Sequence, residues 1–463
     1  MPFDELQAAL VIAELQRENR RLGAQLGQVL ERADRLADEN EQLKKRLQEL
    51  ERISARQAAP FRRRERKKVD PAKKKRPGRK PGHRGACRMV PPWVDAEIEV
   101  PLDGCPRCRG KLENRAPLTQ YIEELPASRP RVTRLVTWVA ECPTCGEVRS
   151  THPLQTSAGQ GAAKVQLGPR ALALAATLNK KLGLTMRKTC AVLKQLCGLT
   201  ITPGGLSQSL ARVAGKVQAD YGQLREQVQA SQAVFADETS WWVGGPGWWL
   251  WVFTTPQGTT FYRVDECRGS QVVQQVLGDD FSGMLVSDCL SSYDPPFYRK
   301  HKCIAHHLQA IGKARDRPDT QETAYLDEWE TLFQQVIALY HQRDELSVAQ
   351  FAKEKTKLSQ WADRLLNRVC TQAGDLAVQN RLLKQQAHLF GCLEDSAAEP
   401  TNNRAERALR PAVIARKLSC GNKTDAGRQC WQILVSLAAT CDGLGKDFAD
   451  FIAARLPLAV QAG

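Results

Sequence analysis

Residues 233–253 read AVFADETSWWVGGPGWWLWVF. Two runs rich in aromatic and β-branched residues flank Gly244, Gly245, Pro246 and Gly247, a pattern that predicts two strands joined as a hairpin. Inside the first run stands one acid, Asp237. Burying an unpaired carboxylate costs several kcal/mol, so Asp237 is expected at the sheet surface, paired, or on a metal.

Downstream, the pattern predicts a third strand over 259–264, a helix over 270–277 and a strand over 283–287 that ends at a second acid, Asp288, in GMLVSDCLSSYD. Two acids on neighbouring strands of a βββαβ unit are expected to share one edge of the sheet. From about 320 to 393 the chain turns helical and charged, which reads as an insertion. Then comes TNNRAERALRPAVIARK, residues 401–417, with Glu406 near a helix start. Three carboxylates from strand, strand and helix suit a pair of Mg2+ ions, which take hard oxygen ligands. Two such ions serve in-line displacement at phosphorus. Arg404, Arg407 and Arg410 flank Glu406 and are expected to contact phosphate. Trp241, Trp242, Trp248, Trp249 and Trp251 read mainly as packing, and His306 and His307 as packed or solvated residues.

Upstream, helical periodicity covers 169–182, 185–196 and 203–228. A helix-turn-helix whose second helix starts near Thr202 and an ordinary helical subdomain fit this stretch equally well. Before it, Cys105-Pro-Arg-Cys108 and Cys142-Pro-Thr-Cys145 form two CxxC pairs, the donor set of one structural Zn2+. Residues 62–88 hold 14 Lys and Arg against Glu65 and Asp70, about +12 of the chain's +16. That segment has too few apolar residues for a core and is expected to be a disordered DNA-contacting arm, with Arg62, Arg63, Arg64, Lys73, Lys74, Lys75, Arg76, Arg79 and Lys80 meeting phosphates. Between Ile12 and Leu50, apolar residues and two asparagines keep a seven-residue register, with Asn19 and Asn40 at core positions. This predicts a parallel coiled-coil dimer. No apolar run reaches membrane-spanning length and the first residues lack a secretory pattern, so a cytoplasmic, nucleoid-associated location with no membrane partner is expected. The 15 cysteines are then expected as reduced thiols.

The ordered pieces GRKPGHRG, CPRC with CPTC, FADETSWW, VSDCLSSYD with CIAHH, and TNNRAERALRPAVIARK resemble the signatures of IS66-family bacterial insertion-sequence transposases. The resemblance implies an RNase H-like catalytic domain whose DDE triad falls on Asp237, Asp288 and Glu406, a zinc-binding segment, and a helical insertion ahead of the glutamate. It also implies metal-dependent DNA strand cleavage and transfer, with two small accessory proteins of the same element as partners. In place of the family's Cys, any residue, Ala-His and a basic pair, this chain has Cys303-Ile-Ala-His306-His307-Leu308. The expected chain is multidomain and mixed α+β and α/β. It comprises a coiled coil (1–54), basic arm (55–90), zinc segment (91–160), helical HTH-like region (161–230), RNase H-like core (231–319), helical insertion (320–395) and core helices with the third acid (396–463). The alternative is a catalytically silent, transposase-derived DNA-binding regulator.

Overall fold

The computed structural model describes residues 88–113, 116–125, 129–156, 165–294 and 298–456, with scattered positions between 18 and 44. The chain divides into two units, Met1–Ala58 with Val132–Gly463, and residues 59–131. In the second unit the described residues form no helix or strand, and Cys105 to Gly110 close a turn in which Arg109 N donates to Cys105 O at 2.8 Å. In the first, the described positions between 18 and 44 are all helical and exposed. A small antiparallel hairpin follows, β1 (Val139–Cys142) and β2 (Gly146–Arg149).

Four helices come next. Pro169 opens α1 (Pro169–Ala176), which runs on as a π-turn at Thr177–Lys181. Thr185 caps α2 (Met186–Cys197), and Gly198 ends it in the left-handed region at φ 65°. Thr202 caps α3 (Pro203–Lys216), after which α4 (Gln218–Gln229) begins. The periodicity predicts one helix over 203–228; the chain instead bends at Val217 (φ −105°, ψ 17°). Leu206, Leu210, Val213, Val217, Tyr221, Leu224 and Val228 are all buried, so the apolar stripe runs through the bend and hides it from a periodicity reading. These helices share one core with the sheet that follows.

That sheet contains β3 (Ala233–Trp241), β4 (Trp248–Thr254), β5 (Thr260–Asp265), β6 (Met284–Ser287) and β7 (Arg299–Lys302), in the order β5-β4-β3-β6-β7. The first three are antiparallel neighbours, while β6 and β7 add on parallel, with α5 (Ser270–Leu277) between β5 and β6. The expected mixed α+β fold with a central sheet is therefore present. Strand β3 is central, so the first acid lies on an inner strand rather than at the sheet's edge. β6 approaches β3 so closely that a Cβ at Gly283 would run into Ser231 O and the Phe281 ring.

After β7 come α6 (Ile304–Arg315), α7 (Ala324–His341), α8 (Val348–Leu366) and α9 (Ala373–Lys384), which build a separate core around Ile304, Ile311, Trp329, Phe333, Leu365 and Leu382. The helical insertion thus takes α6 into its core, ahead of the expected start at 320. Three helices close the chain: α10 (Asn403–Ser419), α11 (Asp425–Gly443) and α12 (Phe448–Arg455). One sheet face, with Phe235, Val252 and Val286, packs on Ala405, Leu409 and Ala412 of α10. The other, with Val234, Ala236 and Leu285, packs on α1 to α5, α11 and α12. No helix among the described residues is long and apolar enough to cross a membrane.

Candidate active site

Strand alternation decides where the acids point. Phe235 pairs with Val286 across the parallel β3–β6 seam, and both face α10. Asp237 and Asp288 each lie two residues further along, so the two-residue period returns both to that face where the pairing ends. Glu406 comes to the same side because its neighbour Ala405, with Leu409 and Ala412, presses α10 onto the sheet. Asn402, fully buried at the N-cap of α10, fixes this placement: its Nδ2 donates to Ala236 O at 2.8 Å and its backbone N–H to Cys303 Sγ at 3.1 Å. Tyr262 of β5 reaches across to donate to Ala408 O at 2.5 Å.

The acids feel one another. Burial, the Glu238 carboxylate, Asp288 and Glu406 together push Asp237 up to about 7, against one lowering contact, the Glu238 N–H donated to its Oδ1 at 2.9 Å. Asp288 Oδ1 accepts from Leu290 N at 2.9 Å. Glu406 has His306 Nε2 at 3.9 Å. Among the described residues none of the three is ion-paired to a lysine or arginine, and no three His, Cys, Asp or Glu side chains are gathered tightly enough to hold one metal ion together. The donor set, hard carboxylate oxygens on three different elements, fits Mg2+.

The other expected site residues fall out differently. Arg407 and Arg410 are exposed on α10. Arg404 is drawn inward, ion-paired with Glu399 and stacked 5.4 Å over the Phe235 ring. Arg62, Arg63, Arg64, Lys73, Lys74, Lys75, Arg76, Arg79 and Lys80 lie outside the described residues. In one CxxC turn the Cys105 thiol accepts backbone N–H groups from Cys108 and Arg107, which hold it below its ordinary pKa. In the other, Cys145 and Thr144 do the same for Cys142. Trp251 is fully buried edge-on to Tyr293, and Trp241 packs 4.5 Å from Trp431. His307 is a core residue, stacked on Phe333 and lowered to about 3 by burial.

Several residues near the acids escaped the sequence reading. Glu238 points to the opposite sheet face, where Tyr293 OH donates to it at 2.7 Å and Arg268 pairs with it at 2.8 Å. Lys302 is fully buried with Asp294 at 3.1 Å and Ser287 Oγ at 3.3 Å. The only signals were position, Glu238 lying inside the motif FADETSWW and Lys302 directly before CIAHH.

The sheet thus carries two acids where its parallel seam ends, with a third acid on the helix across that face. The family model of the IS66 family of transposases matches residues 164–430, and the chain belongs to that family. It is also similar to the uncharacterized protein y4qI of Sinorhizobium fredii (strain NBRC 101917 / NGR234), at 26% identity over 304 residues. That alignment takes in 57% of this chain and 54% of the relative, so the chain spans about half the length of that protein.

Proposed function

We propose that this chain cuts and joins DNA as a DDE transposase, with Asp237, Asp288 and Glu406 as the catalytic carboxylates of an RNase H-like domain. The observation that carries the reading is the shared register of Asp237 and Asp288 beyond the Phe235–Val286 pair, with Glu406 on the helix over the same face. The strand order, three antiparallel strands extended by two parallel ones, supports the RNase H-like assignment. Two bound Mg2+ ions would supply Lewis-acid activation of the attacking and leaving oxygens. The chain's part is to hold three carboxylates in fixed relation, Asp237 giving up its proton as the site fills. His306 stands 3.9 Å from Glu406, beyond hydrogen-bond distance. Arg407 and Arg410, exposed on the same helix, meet the phosphates of the bound strand.

The remaining parts have supporting roles in this reading. The basic arm grips DNA through phosphate contacts that position without specifying sequence. The two CxxC turns supply thiolates for structural Zn2+, a role for which backbone N–H donation to Cys105 and Cys142 prepares them. The heptad helix joins two copies, and two small accessory proteins of the same element complete the assembly. Leu22, Leu26, Leu36 and Leu43, all at heptad core positions, are each more than half exposed on the single chain, as a dimer seam requires.

With Mg2+, purified protein is expected to nick or join labelled DNA bearing the element ends, and Asp237→Ala to abolish this while sparing binding. Wild-type protein that binds but stays inert with the accessory proteins present would make the chain a silent regulator. Elemental analysis is expected to find about one zinc per chain; a value near zero in protein prepared without chelator removes the zinc claim.

A further inference from the structure

A cleft of about 620 Å³ opens beside Asp288 and runs along α6. One wall is the stripe His306, Gln309, Ala310 and Lys313, spaced three and four residues apart on a single helix face, with Arg317 just past the helix end. The facing wall is Ala377, Val378 and Arg381 of α9. The first wall therefore starts at the catalytic face, where His306 stands 3.9 Å from Glu406, and leads away from it. At 1.5 Å of rise per residue, His306 to Lys313 is about 10 Å. That length accommodates about two successive phosphates of an extended single strand.

The chemistry of the two walls agrees. Elsewhere on α6, Arg315 is committed to Asp327 and Glu330 of α7, and Ile304 and Ile311 are buried in the insertion core. Lys313 faces the cleft instead, and Arg317 lines it while sharing its charge with Asp319 at 2.9 and 2.7 Å. Arg381 Nε is buried and donates no hydrogen bond among the described residues. A buried donor without an acceptor costs about 1–3 kcal/mol, which a phosphate oxygen in the cleft relieves. The small side chains of Ala310 and Ala377 keep the passage open, yet its volume is that of a small-ligand site and excludes a double helix.

We propose that this cleft holds the backbone of a single DNA strand, about two phosphates to one side of the reacting phosphate, with Lys313 and Arg381 as its principal phosphate contacts. The proposal rests on the transposase reading for the identity of the ligand, and it adds a strand path that neither the acids nor the basic arm provides.

The test uses the full chain and a 12-nucleotide single strand carrying a photoreactive 5-iodo-deoxyuridine. Cross-links are expected on peptides from α6 and α9. Binding of the same strand is titrated across salt for wild type, Lys313→Ala/Arg381→Gln and a control, Lys353→Ala/Lys357→Ala, whose cations stand exposed on α8. Two lost phosphate contacts lower the slope of log K against log salt by about 1.4, and affinity on the order of tenfold near 0.1 M salt. The control and duplex binding are expected to match wild type. An unchanged slope in the double variant, or cross-links confined to segments outside α6 and α9, overturns the proposal. If the double variant does not melt cooperatively, Lys313→Ala alone, with half the slope change, decides together with the cross-links. A wild type that binds the strand through α6 and α9 but never nicks would end the catalytic reading and leave the cleft standing. The reverse result, active wild type with unchanged strand binding by the variant, would end the cleft and leave catalysis.

Discussion

Asp237 is held in the folded chain at a proton affinity that the unfolded chain does not share. Burial and the neighbouring carboxylates raise it to about 7 from an ordinary value near 4. Between those two values the folded protein binds more protons than the unfolded one, so metal-free stability falls as pH rises through that window, and the full penalty stands above pH 7. The difference corresponds to about 4 kcal/mol. In chelator, Asp237→Asn is therefore expected to melt several degrees above wild type at pH 8, with the gap closing toward pH 4. Thermal melts across that range measure it, and parallel curves would show that Asp237 carries no such strain. Its partner residues divide by the same physics: Glu238, one position along, points to the other face, where Tyr293 and Arg268 satisfy it.

At the scale of elements, the site depends on how α10 is fastened to β3. Asn402 is the fastening, through its amide to Ala236 O and its backbone N–H to Cys303 Sγ. Asn402→Ala removes the first of these from a fully buried position, and urea unfolding is expected to show a loss of about 1–3 kcal/mol with nicking reduced and DNA binding kept. Unchanged stability would mean that helix packing alone sets the position of Glu406. The hairpin was readable because its aromatic runs are broken by Gly and Pro, and α5 because its four apolar residues keep one face. Strand β7 was not, since Arg-Lys-His-Lys has no apolar pattern. Its Lys300, His301 and Lys302 are buried only because Asp294, Pro400 and Ser287 supply distant partners. Spacing also placed Arg404 with Arg407, but it could not reveal that Glu399 turns Arg404 inward. The three acids were legible as motif positions; their common face needed the register of β3 against β6.

Within the larger unit, the sheet packs one core on each face and the insertion forms a third, and α6 belongs to the insertion core while bordering the acids. Ile304 and Ile311 of α6 pack with Trp329 and Phe333 of α7, yet His306 and Lys313, on the same helix, line the cleft. A helix cannot shift one of its faces without the other. Genetically, the insertion is then a place where heat-sensitive alleles would collect. Loosening Trp329 or Phe333 leaves every acid in the sequence untouched, yet it releases the strut that keeps His306 beside Glu406. Function lost in such an allele is expected to return by suppressors that refill the insertion core rather than by changes near Asp237, Asp288 and Glu406.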